Sequence, residues 1–179
     1  MSEGLNNRAI HSSFWSNFFK APTDQANLEA SFQTIPIFEQ LNKRDIALLM
    51  NIVHNRNYLP GEFIFYQGDP GIGLYLIREG EIIIERTNDL GEKISLATFS
   101  KGDFFGELAL IDGEKRSASA IAKIETRLAV IFKPDLDDFI EKYPKKGVKI
   151  LQGICNIIAA RLRKVNEDHF TLQNKIHIT

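Results

Sequence analysis

A chain of 179 residues, 44% of them hydrophobic, can bury one real core but not two large ones. Its 22 basic and 23 acidic residues leave a formal charge of -1, which excludes the broad positive field that sequence-independent nucleic-acid binding needs. One cysteine, Cys155, excludes an intramolecular disulfide framework, and neither a signal-peptide pattern nor a run of about 18 apolar residues occurs, so the expected setting is the cytoplasm, without a membrane span.

Residues 10–20 set Ile10, Phe14, Trp15, Phe18 and Phe19 at helical spacing, and "APTD" ends that helix and caps a second one running to about Phe32. Only Arg8 and Lys20 flank the aromatic helix, so packing on the protein's own body is expected rather than contact with a membrane surface. After "TIPIF", Asn42 can cap a helix over about residues 43–55 with Ile46, Leu49, Met50 and Val53 as its apolar stripe. From Asn57 to Ile131 the texture changes to short β-branched and aromatic runs separated by Gly61, Gly68, Gly71, Gly80, Gly91, Gly102 and Gly113. Around seven or eight antiparallel strands are expected, closing into a double sheet or roll of the jelly-roll type.

Pro134 and Asp135 open a new helical region, and Pro144 suits the first turn of a longer helix extending past residue 165. Along it Leu151, Cys155, Ile158, Leu162, Val165, His169, Leu172 and Ile176 alternate steps of four and three, a heptad seam that asks for a partner helix. Ile150, Ile154 and Ile157 add a second apolar face to the first half only, which predicts that this half packs on the roll while the far half projects. A homodimer through this helix is the expectation; the alternative is a seam that covers the N-terminal helices. The division expected is a helical extension over 1–34, a mainly β roll with its opening helix over 35–134, and a hinge with the long C-terminal helix over 135–179.

The chemistry gathers in "FFGELALIDGEKRSASA", residues 104–120. Gly106 leaves room for close approach, and one helical turn over Glu107 to Leu110 would converge backbone N–H groups on an anion. Arg116 can grip a phosphate with its planar fork through charge-assisted hydrogen bonds. Glu107 suits such a site only where it is given donors, and a ribose hydroxyl beside the arginine supplies them, which points to a nucleotide with a compact, singly charged phosphate. Ala118, Ala120 and Ala122 share one face of the following strand, opposite Ser117 and Ser119, and leave space for a ligand. The alternative is an ordinary Glu107–Arg116 ion pair with alanines that merely fit a crowded roll.

Other signals are weaker. "GDPGIG", residues 68–73, lacks the Lys-Ser/Thr of a phosphate loop and reads as a strand turn. His11, His54, His169 and His177 lie outside the predicted roll, so no metal site is expected. Lys145, Lys146, Lys149, Arg161, Arg163 and Lys164 read as a solvated basic face, interrupted by Glu167 and Asp168.

"FGELALIDGEKRSASA", together with "YLPGEFIFYQGDPGIGLYLIREGEIII" upstream, resembles the phosphate-binding cassette and first strands of cyclic nucleotide-binding domains. That family includes the regulatory subunits of cyclic-AMP-dependent protein kinase and the bacterial catabolite activator protein; roughly residues 35–166 are covered. The resemblance implies a β-roll flanked by helices, with Glu107 accepting the ribose hydroxyl, Arg116 holding the cyclic phosphate, and the backbone of Gly106, Leu108 and Ala109 lining phosphate and sugar. Ser117 follows the arginine where family members carry a hydroxyl that contacts phosphate or guanine, leaving the base open between cyclic AMP and cyclic GMP. Asn166, in "AARLRKVNEDH", matches a position that faces the base.

The expectation is therefore a non-enzymatic cyclic nucleotide sensor, for cyclic AMP before cyclic GMP, without a helix-turn-helix or DNA as partner. It would signal through its C-terminal helices to a separate downstream protein. The rivals are a dimerisation module of the same fold that takes another ligand or none, and a roll-fold enzyme.

Overall fold

The computed structural model describes residues 22–111 and 113–177; the aromatic helix expected over residues 10–20 lies outside them. The elements run α1 (Pro22–Thr34), a 3-10 turn (Pro36–Phe38), α2 (Lys43–Leu49), a second 3-10 turn (Met50–Ile52), β1 (Val53–Tyr58), β2 (Phe63–Phe65), β3 (Gly73–Glu79), β4 (Glu81–Thr87), β5 (Lys93–Ser100), β6 (Phe104–Phe105), a third 3-10 turn (Leu108–Leu110), β7 (Ser119–Ala122), β8 (Thr126–Phe132), α3 (Lys133–Lys142) and α4 (Pro144–His177).

The eight strands form two antiparallel sheets, ordered β1-β8-β3-β6 and β2-β7-β4-β5. Strands β3 and β8 are buried on both faces, which is why "GLYLIRE" and "TRLAVIF" read as nearly continuous apolar runs. Leu74, Leu76, Ala129 and Ile131 turn toward the helices and join Leu28, Phe32, Phe38, Ile46, Leu49, Phe139, Ile150 and Ile154. Their neighbours Tyr75, Ile77, Leu128 and Val130 face the second sheet and meet Ile82, Ala120 and Ala122. The architecture is thus three layers, helices on sheet on sheet, with the period-two alternation deciding which core each side chain joins.

Asn42 caps α2 as expected: its side chain accepts from the Asp45 N–H at 2.9 Å, and Asp45 closes the capping box. The helix stops at Leu49, however, rather than near residue 55. Val53 and the five residues after it are drawn into β1 by pairing with β8, a tertiary contact that overrides the helical spacing of Met50 and Val53. His54 consequently lies on the first strand of the roll rather than outside it, 2.8 Å from Asp135 at the start of α3.

Helix α4 is seated by its first half. Ile150 and Ile154 are fully buried, and between them Gly153 lies against the 3-10 turn so closely that an added Cβ would stand 2.1 Å from the Ile37 carbonyl oxygen. Two lysines expected in solvent serve this seat: Lys146 pairs with buried Asp45 at 2.6 Å, and Lys149 donates to the Gln40 carbonyl at 3.1 Å. The Lys146 ammonium, with the Asn42 N–H, holds the Asp45 carboxyl below its ordinary value of 3.8 despite burial. A depressed folded pKa contributes stability that is fully present above the unfolded value and lost as pH falls through the folded one. Asp45→Asn is therefore expected to cost about 1–3 kcal/mol at neutral pH and almost nothing in acid; urea melts at both pH values check this.

From Ala160 onward the described side chains of α4 are exposed. Leu162 and Val165 of the heptad seam are 58% and 61% exposed, while Ile157 and Ile158 pack partly on the core. The packed first half and projecting second half follow the two stripes read from the sequence. No helix among the described residues is long and apolar enough to cross a membrane.

Candidate functional site

A cavity of about 410 Å³ opens beside the second sheet, between the residue 104–118 segment and α4. Ile84, Ala97, Phe99 and Phe105 supply its apolar wall; Glu107, Arg116, Ser117 and Arg161 supply most of its polar groups.

Glu107 precedes the 3-10 turn at Leu108–Leu110, so the single helical turn expected there is formed, and the amides of Leu108 and Ala109 stand at its start, where no acceptor exists within the turn. The Leu110 N–H donates back to the Glu107 carbonyl at 3.1 Å. Gly106 adopts φ +81°, a left-handed conformation that favours glycine, and an added Cβ would lie 2.8 Å from both Arg116 Nη1 and the Gly73 carbonyl. The glycine therefore admits Arg116 to the site.

Arg116 is held from both ends. Its backbone N–H donates to the Asp69 carbonyl and its carbonyl accepts from the Gly68 N–H, each at 2.8 Å. The "GDPGIG" turn is indeed a strand turn, joining β2 to β3, and it also clamps the arginine's main chain. The guanidinium donates to the carbonyls of Gly73 (2.8 Å) and Gly106 (3.2 Å) and stacks over Phe65 and Tyr75, with centroids 4.1 and 5.5 Å away. It is 7% exposed, and its Nε–H has no acceptor. Burial pulls the arginine's pKa below the ordinary value, and the same burial pushes the Tyr75 phenol up. A desolvated cation with an unused donor is what an anionic oxygen would complete.

Glu107 is 2% exposed and is paired with Arg161 of α4. Arg161 also lies over the Phe104 ring at 5.4 Å. Of the residues singled out from the sequence, Gly106, Glu107, Leu108, Arg116 and Ser117 line the cavity together, and the backbone of Ala109 stands in the turn beside them. Ala118 lines it too, whereas Ala120 and Ala122 lie behind it between the sheets.

Asn166 is not brought in: it is exposed, and α4 meets the cavity at Arg161, five residues earlier, before projecting away. Arg161, expected on a solvated basic face, instead reaches Glu107. The signal that could have found it is spacing, because Ile150, Ile154, Ile157 and Arg161 step by four, three and four along the buried stripe. Among the described residues no three His, Cys, Asp or Glu side chains gather as a metal site would require.

The sequence profile of the cyclic nucleotide-binding domain matches residues 55–143. The Cyclic AMP receptor protein of Thermus thermophilus is 34% identical over 131 residues, covering 73% of this chain and 59% of that protein. The cAMP-dependent protein kinase regulatory subunit of Hypocrea atroviridis is 32% identical over 105 residues, 59% of this chain and 22% of the subunit. The crystal structure of Thermus thermophilus catabolite activator protein superposes with a TM-score of 0.69 at 33% identity, over 77% of this chain and 63% of that one. The chain thus spans less than two thirds of each of these relatives. Cassette, roll and relatives agree, and through the domain at residues 55–143 this chain belongs to the cyclic nucleotide-binding domain family.

Proposed function

We propose that the chain is a regulatory sensor that binds cyclic AMP and passes the signal through α3 and α4 to a separate protein, with no catalytic step of its own. The observation that carries this reading is a buried carboxylate and a buried guanidinium with an unused Nε–H lining the same cavity. The names of the Thermus receptor and the fungal kinase subunit support cyclic AMP over cyclic GMP.

In this reading the cyclic phosphate takes the Arg116 fork and the amides of the Leu108–Leu110 turn, while Gly106 permits the approach. Glu107 accepts from the ribose 2′-hydroxyl, Ser117 adds a hydroxyl to phosphate or base, and the wall of Ile84, Ala97 and Phe99 receives the flat face of the purine. Asn166 has no part in the proposed site. Glu107 must then divide its carboxylate between ribose and Arg161, so α4 feels the ligand directly, and the roll tightens as the cassette closes on the phosphate. The exposed seam at Leu162 and Val165 is proposed to meet a second copy of the chain. Sedimentation of the chain truncated after Lys164 tests this: association equal to that of the full chain would remove the distal seam from the interface.

Calorimetric titration with cyclic AMP and cyclic GMP tests the sensor reading, and no binding of either at millimolar concentration would sink it. 2′-Deoxy-cyclic AMP should bind about ten- to a hundredfold more weakly than cyclic AMP, the worth of one hydrogen bond to a charged acceptor. Equal affinities would remove Glu107 from the ribose. One observation favours the second reading, a module of this fold that takes no cyclic nucleotide: Arg161 already satisfies Glu107 without a ligand.

A further inference from the structure

Glu107 and Arg161 are paired but unequally free to move. The Glu107 side chain is 2% exposed with the Arg161 guanidinium on its Oε1, so almost no carboxylate surface is left for a hydroxyl entering the cavity. The Arg161 side chain is 44% exposed and lines the same cavity. It also has a second hold on β6, where its Nη2 donates to the Phe104 carbonyl at 3.4 Å and its guanidinium lies over the Phe104 ring. Glu107 is set by the 3-10 turn that follows it, whereas Arg161 ends a long side chain with solvent on one side. Of the two, the arginine is the partner that can step aside.

We propose that Arg161 is an internal competitor of the ribose: a cyclic nucleotide reaches the Glu107 carboxylate only by taking the arginine's place there, and Arg161 falls back on Phe104 and solvent. This rests on the cyclic nucleotide reading above and specifies it, since the carboxylate serves ribose and arginine in turn. A buried carboxylate left without a donor is costly, so α4 holds Glu107 until a ligand supplies a donor of its own. Arg116 stands within coulombic reach of Glu107, which keeps a cation beside the carboxylate when Arg161 leaves. The exchange makes the 2′-hydroxyl the group that frees α4 from the roll at this point. A nucleotide without that hydroxyl enters the cavity and leaves Arg161 where it is, filling the site without the release.

Calorimetric titration of the full chain and of Arg161→Ala with cyclic AMP and 2′-deoxy-cyclic AMP tests the exchange. Removing a cation from the cavity changes its attraction for both anions alike, and Glu114, Lys115 and Arg116 stay in place for both, so the ratio of the two affinities isolates the carboxylate. That ratio is expected to widen by about tenfold in Arg161→Ala, because the ribose no longer displaces a charge-assisted hydrogen bond. Arg161→Lys keeps a cation without the planar fork, so its ratio should fall between the two, and it keeps the test open if the alanine variant fails to fold. An unchanged or narrower ratio in variants that bind cyclic AMP overturns the exchange and leaves the sensor reading standing, with ribose and arginine sharing the carboxylate. Binding of neither nucleotide by the unaltered chain overturns both.

Discussion

Replacing Arg116 with alanine is expected to weaken cyclic AMP binding by about two to four orders of magnitude. The fork would lose two charge-assisted hydrogen bonds to the phosphate, each worth about 1.5–3 kcal/mol, and every 1.4 kcal/mol is about tenfold in affinity. The arginine also braces the fold, since it donates to the Gly73 and Gly106 carbonyls and fills the space between Phe65 and Tyr75. Arg116→Ala should therefore melt at lower temperature as well. Arg116→Lys separates the two effects, because it keeps the charge while losing the planar fork, and its affinity should fall between the others. Titration calorimetry on the folded variants checks the order; unchanged affinity in the alanine variant would remove the phosphate from this arginine.

Gly153→Ala is expected to destabilise the chain by about 2–4 kcal/mol, a large effect for one methyl group. In an exposed helix the same change stabilises by about 1 kcal/mol, because alanine is the better helix former. Here the new Cβ would stand 2.1 Å from the Ile37 carbonyl oxygen and 2.7 Å from its carbon, both main-chain atoms that cannot swing aside. The sign of the effect is thus the test. A lowered urea midpoint places α4 tightly on the Pro36–Phe38 turn, whereas a raised one would mean the helix does not sit there. The cavity lies farther along α4, at Arg161, so loosening this seat should also weaken the Arg161 contact to Glu107.

The roll was legible because its information is local. Alternating apolar residues, turn glycines and the proline that opens α4 each act within a few positions, and they locate the strands and the last two helices. The residue 104–120 cassette was legible for the same reason, since Gly106, Glu107 and Ser117 reach one cavity with Arg116 through a single turn and loop. What the sequence concealed depends on partners far along the chain. Met50 and Val53 continue a helical stripe, and only pairing with β8 makes Val53 a strand residue. Lys146 and Arg161 resemble any solvated cations until Asp45 and Glu107, more than fifty residues upstream of each, are brought beneath them. Asn166 drew attention through the family pattern, yet the helix has left the roll by the time it reaches that residue.

Helix α4 is anchored at Ile154, touches the cavity at Arg161, and runs on to His177 without a break. At about 1.5 Å per residue, the arm from anchor to cavity is about 10 Å and the arm from anchor to tip about 35 Å. A stiff rod pivoting at Ile154 would turn a shift of one ångström at Arg161 into more than three at its far end. If α4 carries the proposed signal, the mechanical gain belongs to the spacing of three residues on one helix, so lengthening or shortening the stretch beyond Arg161 would change the stroke without touching the cavity.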